Sequence, residues 1–185
     1  MIKEALLAMA GVETIVHIAE IGERQQAFVR ARDYADSVGK PLLVVGTPRL
    51  GWLYHPCGDT TIDINPARAK YCDTQIADVR DIPYPDQYFG AAFVSHVLEH
   101  LPTVADAYTA LGELDRVAEE IFIVSPHKIC LYAWIHPDHY LWVTQDGDDF
   151  IIEQRDRKPA KTASCLMAIT ALDKLSFTCL NFNNN

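Results

Sequence analysis

Pro41-Leu42-Leu43-Val44-Val45-Gly46 is the stretch on which the fold turns. Four apolar residues run without a polar break between a proline and a glycine, too few for a helix. A strand that shows no apolar–polar alternation is covered on both faces, the condition of a strand inside a parallel sheet. The pattern returns along the chain. Residues 60–64 (Thr-Thr-Ile-Asp-Ile) form a second β-branched run, 74–77 a weaker third, 91–94 a fourth, and 120–125 (Glu-Ile-Phe-Ile-Val-Ser) the clearest.

Helical patterns lie between these runs at 65–71 and 106–119, with a short one near 50–54. Strands alternating with helices predict an α/β fold with a largely parallel sheet. Residues 150–153 and 164–170 are expected to close that sheet. Upstream, residues 3–37 read as helix, with Ala5, Leu6, Met9, Val12, Val16 and Ala19 at helical spacing. Gly22 predicts a break, and a second helix over 23–37 should stop at Val38-Gly39. The expected organisation is an N-terminal helical cap over 1–39, one α/β domain over 40–180, and a frayed tail at 181–185.

The chain has 185 residues, which suits a single domain, and 16 basic against 25 acidic side chains give a net charge of −9. That balance argues against a protein that wraps nucleic acid, whose phosphates need a basic face. At 49% apolar and 22% charged residues the composition is that of a folded globular chain. Five cysteines without a C-x-x-C pair read as reduced, buried thiols of a cytoplasmic protein. The N-terminus lacks a basic n-region and a small-residue cleavage site, so no export signal is expected. Glu13, His17 and Glu20 interrupt the apolar stretch 5–21, so no membrane span is expected either.

Ligands of open α/β sheets bind beyond the carboxyl ends of the strands. Gly46-Thr-Pro-Arg-Leu-Gly51 follows the first strand and keeps the outer glycines of G-x-G-x-x-G, with Pro48 at the middle one. Glycine lets the backbone turn sharply and approach a ligand, and an acid on the next strand can accept from ribose hydroxyls. Asp63 stands there, although it or Asn65 could equally cap a following helix. Asp78 has the same two readings, as an acceptor for an adenine amino group or as a turn cap. His96 follows the fourth strand and His127 the fifth. His96-Val-Leu-Glu-His100 also spells H-x-x-E-H, an inverted zinc-protease helix, but no third ligand is indicated and no metal is expected.

In order and spacing, residues 42–126 resemble the class I S-adenosylmethionine-dependent methyltransferases, particularly the type-11-like branch. The matching pieces are Leu-Val-Val-Gly46, Thr-Ile-Asp63-Ile-Asn-Pro66, Asp78-Val-Arg-Asp-Ile-Pro83 running on to Phe89, and Phe93-Val-Ser-His96-Val-Leu-Glu99-His100-Leu101. The helix pattern Ala110 to Val117 follows them. The resemblance implies a Rossmann-like fold with a mostly parallel seven-stranded sheet and helices on both faces. It implies S-adenosylmethionine as cofactor, with Gly46 and Thr47 beside its methionine part. Asp63, with Ile64 beside it, would bind the ribose, Asp78 and Val79 the adenine, and His96 would line the other side. Three places depart from the family pattern: Pro48 replaces a glycine, Gly90 stands where an aspartate usually follows the phenylalanine, and Ala118-Glu-Glu120 replaces a Pro-Gly-Gly turn.

The expected activity is methyl transfer to a small-molecule or protein acceptor, with no nucleic-acid or membrane partner. His127 and His139 are the candidate general bases, because an imidazole titrates near neutral pH. Residues 136–142, rich in His, Tyr and Trp, are the candidate substrate lid. Two other readings stay open: a methyltransferase-shaped binding or scaffold protein without catalysis, and a nicotinamide-dependent oxidoreductase sharing the glycine loop and strand-end acid.

Overall fold

The computed structural model describes residues 2–48, 56–68, 70, 72–146, 149–156, 168–169 and 175–177. One helix, α1 (Ile2–Val38), precedes β1 (Leu42–Val45), β2 (Thr60–Asp63), β3 (Gln75–Ile76) and β4 (Phe89–Ser95). Then come α2 (Val104–Val117), β5 (Ala118–Val124), α3 (Leu131–Ile135), β6 (Leu141–Asp146), β7 (Asp149–Gln154), β8 (Ala168–Ile169) and β9 (Leu175–Phe177). Six strands form a parallel sheet in the order β3-β2-β1-β4-β5-β9. The order reverses between β1 and β4.

All four residues of β1 and all seven of β4 are buried, as the unbroken apolar runs require. Alternate side chains enter two cores. Leu43, Val45, Ala92, Val94, Ile121 and Ile123 meet α2 through Ala107, Ala110, Leu111, Leu114 and Val117. Leu42, Val44, Ala91, Phe93, Phe122 and Val124 meet α1 through Ala27, Phe28, Ala31 and Ala35. The start of α2 is a capping box: Thr103 Oγ1 accepts from Asp106 N, and Asp106 Oδ2 accepts from Thr103 N.

The buried stripe of α1 runs through Val16, Glu20, Glu23, Ala27, Ala31 and Ala35, at steps of three or four. Its alanines let the helix lie close to the sheet, and this accounts for Gly90. A Cβ there would stand 2.9 Å from Ala35 Cα and 2.7 Å from Val38 Cγ2, so the family's aspartate has no room beneath α1.

Several expectations need correction. The parallel sheet has six described strands rather than seven. Residues 150–153 do not close it: they belong to β7, which pairs antiparallel with β6 and β8 in a separate three-stranded sheet. The last described strand of the main sheet is β9. The helix over 65–71 shrinks to a 3-10 turn at Pro66–Arg68. The helix near 50–54 and the tail at 181–185 lie outside the described residues.

Gly22 does not break α1, which continues through it because packing of the stripe outweighs glycine's entropic cost. A Cβ at Gly22 would meet nothing within 4 Å. Gly22→Ala is therefore expected to raise stability by about 0.5–1 kcal/mol, seen as a higher denaturation midpoint at unchanged m value.

The cysteines also differ from expectation. Cys57 and Cys72 form a disulfide with a Cα–Cα distance of 5.5 Å, bracketing β2. Spacing alone could not pair them, because it is the return of the chain after β2 that brings them together. Cys130 is free and buried; Cys165 and Cys179 lie outside the described residues. Among the described residues no helix is long and apolar enough to cross a membrane.

Candidate functional site

The carboxyl ends of β1 and β2 are joined at the point where strand order reverses. Gly46 has a φ of +89°, and a Cβ on it would lie 2.8 Å from Val97 Cγ2, so both backbone and space demand glycine. Its N–H donates to Ile62 O at 2.9 Å. Thr47 N donates to Asp63 Oδ2 at 2.9 Å, and Asn65 N donates to Asp63 Oδ1 at the same distance. The turn after β1 and the acid ending β2 thus form one unit. Thr47 and Pro48 are buried, with Thr47 Oγ1 3.1 Å from Thr74 Oγ1, whereas Ile64 is exposed. Asp63 remains partly exposed. A carboxylate offers about four acceptor directions, so two amides leave capacity for two further donors.

Asp78 is held differently. Arg80 donates from Nε to its Oδ1 at 3.0 Å and from Nη2 to its Oδ2 at 2.6 Å, and Nη1 reaches Asp106 Oδ1 at 2.6 Å. The hydrogen bonds from Arg80 hold the Asp78 carboxyl below its ordinary value. Bonds from Thr103 and then Arg80 do the same for Asp106. Val79 is buried in the α2-side core.

A group whose folded pKa is lowered contributes stability above its unfolded pKa and loses it as pH falls through the folded value. Arg80→Ala should therefore move acid unfolding, followed by circular dichroism below about pH 4, to higher pH.

At the ends of β4 and β5 the site is lined by α1. His96, at φ +53°, closes β4. Arg24 Nη2 donates to His96 Nε2 at 2.6 Å, and His96 Nδ1 lies 3.4 Å from Glu99 Oε1. His127 N donates to Glu20 Oε1 at 3.2 Å. Ser95 Oγ, Ser125 Oγ and both carboxyl oxygens of Glu99 are buried with no hydrogen-bond partner among the described residues. Burial pushes the Glu99 carboxyl up to about 8, so it is mostly protonated at neutral pH. Unsatisfied buried polar groups are costly, and three residues that carry them collect at and just beyond the end of β4 and beyond β5.

The two candidate bases fall in different surroundings. His127 accepts Ile129 N–H on Nδ1 at 3.1 Å, which puts the proton of its neutral ring on Nε2. His139 is buried at 2% exposure, with Nδ1 3.2 Å from Ala133 O. Burial, with His100 and His136 nearby, drives its pKa down to about 3, too low for a useful base at neutral pH. An open hollow of about 470 Å³ lies elsewhere, lined by Trp134, Trp142, Lys128, Glu153 and Arg155. It contains none of the strand-end residues.

The N-terminal helical segment, expected as a cap and a second candidate lid, reaches the strand ends through Glu20 and Arg24. Its signal was present as Glu20, Glu23 and Arg24 lying at the level where the alanine stripe leaves the sheet.

A parallel sheet whose order reverses beside a glycine turn and a strand-end acid defines a Rossmann-like α/β protein. Residues 57–120, 64 of the 185, match the family model described as a methyltransferase domain, a likeness that supports a type-11 methyltransferase. The match covers Asp63, Asp78 and His96, and begins beyond Gly46. Members of that family typically bind S-adenosylmethionine. No curated protein matches the chain significantly.

Proposed function

We propose that the chain transfers a methyl group from S-adenosylmethionine to a small-molecule or protein acceptor. The observation that carries the reading is the joined unit of Gly46, Thr47 and Asp63 at the strand-order reversal, inside a chain that matches a methyltransferase family. The donor set suits the cofactor. Asp63 has acceptor capacity left for ribose hydroxyls, and the glycine turn admits close approach of a ligand. Ser95, Ser125 and Glu99 offer unsatisfied polar atoms on the far side of the reversal.

Bound there, the cofactor would supply an electrophilic methyl on a sulfonium. The protein's task is then to position two reactants in line and exclude water. Asp63 and Ile64 would hold the ribose, Asp78 and Val79 the adenine, Gly46 and Thr47 the methionine part. His96, fixed by Arg24, walls the opposite side. His127 is the strand-end group facing the acceptor, and to take a proton on Nδ1 it must release Ile129 N–H.

A second reading has its own observation. The Asp78 carboxylate is already bound by Arg80, and His96 by Arg24, as in a methyltransferase-shaped protein that binds without catalysis. A thermal-shift series with S-adenosylmethionine, S-adenosylhomocysteine and NAD separates an adenosyl-cofactor site from a scaffold that takes no cofactor. Methyl transfer predicts a rise in Tm with the first two and none with NAD. A rise with NAD alone, or with none of the three, would overturn it.

A further inference from the structure

The exit of β4 and the segment before β6 are sewn together by two hydrogen bonds. Tyr140 N donates to Glu99 O at 2.7 Å, and His100 Nδ1 lies 2.9 Å from Asp138 O. This brings His100, from the 3-10 turn Leu98–His100, beside His136 and His139. The His136 and His139 rings stack at 4.3 Å between centroids, and His100 lies 4.8 Å from His139 and 5.4 Å from His136. One nitrogen of each ring lies within 4.8 Å of the other two.

The hydrogen bonds fix the tautomers of two of the rings. A backbone carbonyl can only accept, so Asp138 O and Ala133 O place the protons of neutral His100 and His139 on Nδ1. Each then carries its lone pair on Nε2. An Nδ1–H bond to a carbonyl is the outer-shell arrangement of histidines that ligate a metal through Nε2. His136 accepts Asp138 N–H on Nδ1 at a longer 3.3 Å, the weakest of the three contacts and the one a metal would replace.

We propose that His100, His136 and His139 bind a divalent ion of the zinc class, with the fourth position open to water. Three neutral imidazoles suit zinc and its borderline neighbours, not magnesium or calcium, which prefer oxygen ligands. Zn–N bonds of about 2.0–2.1 Å need ligand atoms about 3.3 Å apart in a tetrahedron, so the rings would draw in by about 1 Å or slightly more. The exposure of His100 leaves the ion an entry path. This site uses neither the histidine pair of the H-x-x-E-H spelling nor its glutamate as a base: His96 faces Arg24, and Glu99 is buried. It does not depend on the methyltransferase reading.

The test is calorimetric titration of the chelator-stripped full chain with Zn²⁺, with Co²⁺ absorption as a second probe of geometry. One equivalent should bind, and Co²⁺ should give the intense visible bands of a tetrahedral site. His100→Ala and His136→Ala, both away from the core, should each weaken binding by at least about 10-fold at unchanged circular dichroism. His17→Ala, on the exposed side of α1, should leave it intact. Absence of stoichiometric binding, or binding kept by both His100→Ala and His136→Ala, would overturn the proposal.

Discussion

Phe93→Ala is expected to destabilise the protein by about 3–5 kcal/mol, a large part of a typical total of about 5–15 kcal/mol. Phe93 is fully buried at the centre of β4, the strand that pairs with both β1 and β5. Its ring meets Phe28 of α1 edge-on, at 5.5 Å and 88°, and so joins the helix to the sheet. Truncation removes the apolar transfer energy and leaves a cavity that a parallel sheet pinned on both sides cannot collapse. Phe93→Leu refills most of that space and should cost clearly less. Denaturant unfolding of the three proteins measures the difference. Equal stability of wild type and Phe93→Ala would mean that α1 does not pack on this face.

Asp63→Ala has the largest expected effect on ligand binding. A hydrogen bond to a charged group contributes about 1.5–3 kcal/mol, so losing the carboxylate should weaken S-adenosylhomocysteine binding by about 100-fold. Part of that loss is indirect, because Thr47 N and Asn65 N lose their acceptor at the same time. Asp63→Asn keeps one oxygen for one of those amides and removes the charge. It should recover the fold of the turn but only part of the affinity, which separates positioning of the loop from contact with the ribose.

Much of this architecture was legible because burial on both faces leaves an unbroken apolar run. Leu42–Val45 and the stretch around Phe93 could be placed without knowing what covered them. Elements whose form depends on a distant partner were not legible. Gly22 looks like a helix break, yet α1 runs through it because Val16, Glu20, Glu23 and Ala27 continue one stripe against the rest of the chain. The strand at 150–153 is real, but its partner is β6 rather than the main sheet, and apolar alternation does not name a partner.

The site divides in the same way. Asp63 and Gly46 lie at strand ends, and topology alone puts strand ends together. The capture of Asp78 by Arg80 was written locally, two residues apart, in a segment first read for its acids alone. Gly90 looked like a loss from the family pattern and is instead what admits α1. The histidine cluster joins His100 to His136, 36 positions further on, which local spacing does not read.

The central claim is that the glycine turn and Asp63 hold the adenosyl cofactor. The most direct test is calorimetric titration of wild type and Asp63→Ala with S-adenosylhomocysteine. The account predicts saturable binding of one equivalent to the wild type, weakened about 100-fold in the variant. No binding to the wild type, or the same affinity in both proteins, would contradict it.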